Sequence, residues 1–312
     1  MRRAALEVLA CPACHGPLRL EGESDEVETG SLACPTEGFL YPVTDAIPRL
    51  VEADRAGRVA ALAHSYASVW QRDGWGATNQ SYLLNLPYAD VSGRRASEWR
   101  VKARSLDALE RLFARHRLRR VVDLGCGVGW LSYRLAQRGY EVYAVDVVLD
   151  DVLGLGAAGV YVRSGVFFER IFGELERPPV AASSVDAVVC NASLHYAKDL
   201  RATLAEVKRL LRPGGLFVTM NSPVYNDSES AERALTDFRE RLRELGATED
   251  VVSNYHHFTR DSLVRVISSE VAPVAEEPFD PGRGFRWSRR AKGAALRMEL
   301  ASFPLLYARR AE

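Results

Sequence analysis

The fold turns on VVDLGCGVGWLSYRLAQRGYEVYAVD, residues 121–146. The apolar run VVDL predicts a short strand. It feeds Gly125, Gly127 and Gly129, and WLSYRLAQRG then reads as a helix with Gly139 as its C-cap. YEVYAVD is the next strand. Glycines at such a turn let a ligand approach the backbone, because no Cβ intrudes. The helix N-terminus is expected to offer unpaired N–H groups. A dinucleotide site wants a small third residue in G-x-G-x-x-G. Here that position holds Trp130, which argues against NAD. The spacing is instead D-x-G-x-G-x-G, with Asp123 two residues before the first glycine.

Outward from this stretch the chain alternates helix and strand. SLDALERLFARH is an amphipathic helix before it. SVDAVVCN (strand), DLRATLAEVKRLLRPGG (helix with a Pro-Gly-Gly stop) and LFVTMNSP (strand) follow it. Strands separated by helices predict βαβ units and an α/β fold, a parallel sheet covered on both faces. After Pro223 come the charged helical stretch SESAERALTDFRERLRELG, the helix FTRDSLVRVISSE with Thr259 as N-cap, and two last strands, VAPVAEEPF and FPLLYARRA.

The loop and its neighbours resemble motif I of the class I S-adenosylmethionine (SAM) methyltransferases, of the type 11-like kind with a Rossmann-like sheet. CNASLHYAKDLRATLAEVKRLLRPGGLFVTM resembles that family's fourth strand, helix and Pro-Gly-Gly turn. The resemblance is strong over residues 106–225 and weaker beyond. It implies a SAM site made by Asp123, Gly125, Cys126, Gly127 and Gly129, with Asp146 and Val147 at the ribose. It further implies Glu174 and the Leu175 N–H beside adenine, and Asn191 at the end of the fourth strand. Tyr66, on one helix face with Trp70 in HSYASVWQRDGW, is expected at the methionine end. The sulfonium already activates the methyl group, so the protein must chiefly align a nucleophile and exclude water. A hydroxyl or amine acceptor also needs a base. His195 in NASLHY, and His256 and His257 in NYHHFTRDSL, are the catalytic candidates, set against plain structural roles.

The expected divisions are 1–52, a small β-rich domain; 53–105, a helical, aromatic-rich linker or lid; and 106–312, the methyltransferase domain, with 226–260 a helical insertion. The first of these carries CPACHGPLRL and LACPTEGFLYPVTDAIPRL. It resembles the zinc-ribbon-like activator of tRNA, rRNA and protein methyltransferases. Cys11, Cys14 and Cys34 stand where three of that pattern's four cysteines fall, and Glu37 replaces the fourth. Zinc accepts carboxylate oxygen, but closed structural sites prefer Cys and His. The expectation leans to a domain that folds without zinc, with FLYPV and AIPRL as its apolar core. Its role is a stabilising or substrate-presenting module, or packing alone.

Formal net charge is zero, which gives no general pull towards nucleic acid or membrane. No stretch approaches the ~18 to 20 apolar residues of a membrane span, and a soluble, cytoplasmic protein is expected. MRRAALEVLAC mimics a lipoprotein leader, but Glu7 breaks its short apolar run. The favoured function is methyl transfer to a hydroxyl, amine or carbon of a small-molecule acceptor. The alternatives are an RNA methyltransferase, which the basic stretches GRRASEWRVKARS and RGFRWSRRAKGAALR favour, and a non-catalytic SAM-binding partner subunit. The acceptor and the oligomeric state are not legible.

Overall fold

The computed structural model describes residues 1–296 and 298–312. The chain opens with β1 (Arg19–Leu20), β2 (Gly30–Ala33), β3 (Leu40–Thr44) and β4 (Ile47–Pro48), an antiparallel four-stranded sheet in sequence order. Three helices follow: α1 (Ala53–Arg72), α2 (Gln80–Asn85) and α3 (Ala96–Ala114). The α/β series is β5 (Arg120–Leu124), α4 (Trp130–Gln137), β6 (Glu141–Asp146), α5 (Gly159–Arg163), β7 (Glu169–Phe172), β8 (Val185–Asn191), α6 (Leu200–Leu210) and β9 (Leu211–Met220). The chain ends with β10 (Val224–Tyr225), α7 (Ser228–Glu244), α8 (Glu249–Asn254), β11 (Phe258–Thr259), α9 (Arg260–Glu270), β12 (Val274–Glu277), α10 (Arg283–Leu296) and β13 (Leu305–Arg309).

The main sheet has seven strands in the order β12-β13-β9-β8-β5-β6-β7. The pairs from β9 through β7 are parallel, and β13 joins β9 and β12 antiparallel. This is the expected α/β architecture. Four residues of β5 are buried, as a strand covered on both faces requires. From β5 the chain steps outward to β6 and β7, then returns to the other side of β5 as β8. That reversal puts a crevice beyond the carboxyl ends of β5 and β8, where open α/β sheets bind ligands.

Some local expectations are refined. The α6 helix ends at Leu210, and β9 begins before Pro213-Gly214-Gly215 instead of after it. Gly214 has φ +76°, so the turn is absorbed as an irregularity at the start of the strand. Gly139, with φ +88°, follows the cap of α4. Thr259 caps α9 in a full capping box with Ser262.

The N-terminal sheet is sewn to the main one. Ala10 N–H donates to the Pro179 carbonyl (3.0 Å), and Ala181 N–H donates to the Val8 carbonyl (2.7 Å). Leu50 N–H donates to the Phe172 carbonyl of β7 (2.9 Å). Arg2 N–H donates to the Glu169 carboxylate (2.9 Å). Leu32, Tyr41, Val43 and Leu50 share one apolar cluster with Val145 and Ile171. The module therefore caps the β7 edge of the sheet, which would otherwise present unpaired strand groups. Above the crevice, α1 packs on α7 and α8: Val69 clusters with Leu242, Val252 and Tyr255.

Candidate active site

A cavity of about 1550 Å³ opens beyond the carboxyl ends of the strands. Gly125, Cys126 and Gly127 line its floor, with Asp146, Val147 and Asn191. The glycines differ in what forbids a side chain. A Cβ at Gly125 would lie 2.4 Å from the Ser193 Cβ, so packing excludes it. At Gly127, φ +54°, a Cβ would meet nothing nearer than the Leu153 carbonyl at 4.0 Å and would project into the cavity. Its absence leaves room for a ligand.

The amides of the turn itself, ahead of the helix N-terminus, are occupied. Gly125 and Cys126 both donate to the Val145 carbonyl (2.8 and 3.1 Å), and Gly129 donates to the Cys126 carbonyl (2.9 Å). Gly127 N–H donates to Asp146 Oδ2 (2.8 Å), and Val148 N–H donates to Asp146 Oδ1 (2.8 Å). Asp146 thus braces the loop and still faces the cavity. Burial raises its carboxyl, and the two amides oppose that shift.

Asp123 and Gly129 stand behind the loop and do not line the cavity. Asp123 is fully buried; its Oδ2 accepts from Ser132 Oγ (2.7 Å), and Oδ1 has no partner among the described residues. Burial pushes its carboxyl up to about 7. Gly129 starts α4 at φ +72°, where a Cβ would press on Ala158 and Phe168.

Glu174 and Leu175 line the cavity beyond β7. The Glu174 carboxylate is already engaged, gripped by Arg55 of α1 through Nε (2.9 Å) and Nη2 (2.7 Å). No motif marked Arg55, because the pair spans 119 positions of sequence.

The roof is aromatic. Tyr66 and Trp70 of α1 both meet Tyr196 edge-on, at 5.3 and 6.2 Å between centroids. Phe238 of α7 stacks on Trp70 at 6.2 Å, and Tyr255 packs on Phe238 at 4.3 Å. The three candidate histidines share this wall. His195 Nδ1 lies 3.0 Å from Ser222 Oγ, and its carbonyl accepts from His256 N–H (2.9 Å). The ring of His257 lies between Tyr225 and Tyr255, with Nδ1 buried and without a partner among the described residues. Burial depresses all three imidazoles, His195 to about 3 and His257 to about 4, so they stay neutral near pH 7.

In the N-terminal sheet the thiols of Cys11, Cys14 and Cys34 converge within 4.8 Å of one another. Glu37 does not complete the set; its backbone N–H instead donates to Cys34 Sγ (3.4 Å). Cys11 Sγ also lies 3.2 Å from the Tyr41 hydroxyl. Three thiolates could hold a zinc ion, short of the four ligands of a closed site.

The chain resembles known proteins in two stretches. Residues 122–219 match a family described as a methyltransferase domain, and residues 2–45 match the Trm112p-like proteins. A malonyl-[acyl-carrier protein] O-methyltransferase of Enterobacter lignolyticus is 30% identical over 158 residues, covering 48% of this chain and 59% of that protein. An uncharacterized methyltransferase of Mycobacterium tuberculosis is 40% identical over 97 residues, covering 31% and 37%. The chain thus spans between about a third and three fifths of the curated relatives it matches. Among solved structures, the YcgJ protein of Bacillus subtilis aligns with a TM-score of 0.49 at 17% identity, over 66% of this chain and 99% of that one. A Haloferax volcanii complex of the Trm112 methyltransferase activator with a methyltransferase gives 0.47 at 16%, over 70% and 94%.

Proposed function

We propose that this chain, a methyltransferase domain joined to a Trm112p-like module, binds SAM in the crevice and transfers its methyl group to a small-molecule acceptor. The observation that carries the reading is Asp146. Its carboxylate faces the cavity at the end of β6 while its two oxygens hold the amides of Gly127 and Val148. A carboxylate so fixed suits a ribose diol, since it accepts only and can take two hydroxyls. Gly127 leaves the space above it open. Glu174 and Leu175 lie on the β7 flank, where an adenine ring would follow the ribose. Tyr66 and Asn191 would then border the amino-acid end.

SAM supplies an activated methyl group when bound, and the protein's own task is to position and to desolvate. The cavity exceeds the ~300–1,000 Å³ of a usual ligand pocket, so it has room for cofactor and acceptor together. The aromatic wall of Trp70, Tyr196, Phe238 and Tyr255 suits an acceptor with an apolar body. If the acceptor is a hydroxyl or amine it needs a base; burial, which holds His195 at about 3 and His257 at about 4, makes those two poor bases and leaves His256 to take the proton. The relative named for malonyl-[acyl-carrier protein] supports an oxygen acceptor, in that protein one borne on a carrier protein.

Methyl-labelled SAM, incubated with the protein and an extract of the source cells, tests the reading. Label is expected among small molecules. Label confined to RNA would overturn it and turn the basic stretches into a binding surface. Transfer to no fraction, with SAM bound, would favour a partner subunit.

A further inference from the structure

Lys102 is one of only four lysines in the chain. It lies in the middle of α3 and lines the cavity, largely enclosed. Its Nζ stands 4.4 Å from the Trp99 ring centroid and 4.6 Å from that of Trp75. Two indole faces attract a cation but accept no N–H bond of ordinary strength. Among the described residues the ammonium has no carboxylate in ion-pair reach and no hydrogen-bond acceptor. The nearby acids are committed elsewhere: Glu98 to Arg95, and Asp73 to Arg95 and Arg241. An enclosed ammonium with three free donors calls for an anion.

The place of this ammonium narrows the choice. Ser105, one turn further along α3, bonds Asn221 just past β9, and Asn221 donates to Asn191 at the end of β8 (2.9 Å). Trp99 packs edge-on against Trp130, the first residue after the glycine loop. Lys102 therefore lies on the β8–β9 flank. Asp146 and Glu174, proposed for ribose and adenine, follow β6 and β7 on the other flank.

We propose that Lys102, boxed by Trp75 and Trp99, is an anion-binding subsite of the cavity that takes a carboxylate. The carboxylate is either the one at the amino-acid end of SAM or one on the acceptor, and both reach this flank in the pose above. The proposal rests on the methyltransferase reading. Burial lowers the amine to about 8, and a bound carboxylate would hold it charged.

The test uses the full chain, its Lys102→Met and Lys102→Arg variants, and two nucleosides. S-Adenosylhomocysteine keeps the amino-acid end; 5′-methylthioadenosine lacks it. Malonate is then titrated into each S-adenosylhomocysteine-loaded form and read by tryptophan fluorescence. If the cofactor supplies the anion, Lys102→Met weakens S-adenosylhomocysteine by about tenfold or more and leaves methylthioadenosine unchanged, and Lys102→Arg retains most of the affinity. If the acceptor supplies it, S-adenosylhomocysteine is unaffected, and malonate binds the wild type but not Lys102→Met. Unchanged binding of all three ligands overturns the proposal. So does an equal loss for both nucleosides, which would mean damaged packing. Removing a buried charge should not cost folding, and a thermal melt checks this. A wild type that binds neither nucleoside would sink the methyltransferase reading itself.

Discussion

Arg55 and Glu174 are locked in a two-point ion pair, the guanidinium Nε and Nη2 at 2.9 and 2.7 Å from the two carboxylate oxygens. The pair ties α1 of the roof to the loop beyond β7. It also occupies the carboxylate proposed to receive the adenine amine. Binding must therefore share Glu174 or release it. Arg55→Met should tighten S-adenosylhomocysteine, by up to about tenfold, because the competitor is gone. Calorimetry reads the change. A tenfold loss instead would mean that Arg55 supports the ligand directly.

Asp146 does two things at once, and two substitutions separate them. Asp146→Ala removes both the proposed ribose contact and the braces on Gly127 and Val148. Affinity for SAM should fall by about 1–3 kcal/mol. Asp146→Asn keeps one acceptor oxygen and should lose less. Equal affinity for the wild type and Asp146→Ala would remove Asp146 from the site.

Burial holds His195 at about 3, below its ordinary value of ~6.5. Below pH ~6.5 the unfolded chain binds a proton that the folded one refuses. Stability from this group is therefore complete above ~6.5 and is lost as pH falls towards 3. Asp123 and Glu169, both raised to about 7 by burial, act in the opposite sense. They cost stability as pH rises from ~4 to 7, so the single variant must be compared with the wild type at each pH. Between pH 8 and pH 5, His195→Gln should lose about 2 kcal/mol less than the wild type in denaturant titrations. Parallel losses would mean that His195 is charged in the folded chain.

The thiols of Cys11, Cys14 and Cys34 converge beside an apolar core that is expected to hold without a metal. Leu32, Tyr41, Val43 and Leu50 belong to the same cluster as Val145 and Ile171. A strong zinc chelator should leave the melting temperature unchanged. A fall of about 5 °C or more, with stoichiometric zinc released, would make the cluster a structural metal site.

The sequence carried the frame because its signals are local. The glycine spacing, the Asp at the end of YAVD and the alternation of strand and helix each sit within a few residues. They led to the seven-stranded sheet and to Gly125, Gly127, Asp146, Glu174 and Asn191 around one cavity. What was not legible depends on tertiary partners. Asp123 matches the motif but does not line the cavity; its carboxylate is buried against Ser132 in the first turn of α4. Arg55 and Lys102 carry no motif, and their roles appear only once α1 and α3 lie across the crevice. The bonds that tie the amides of Gly125, Cys126 and Gly127 to the Val145 carbonyl and Asp146 depend on β6 lying beside the turn. Glu37 fills the place of a cysteine in the pattern, yet its carboxylate does not join the thiols.

The most direct test of the account is a calorimetric titration of S-adenosylhomocysteine into the full wild-type chain, with NAD titrated in parallel. The account predicts saturable one-to-one binding of S-adenosylhomocysteine and no heat from NAD. Tight binding of NAD, or silence from S-adenosylhomocysteine, would contradict it.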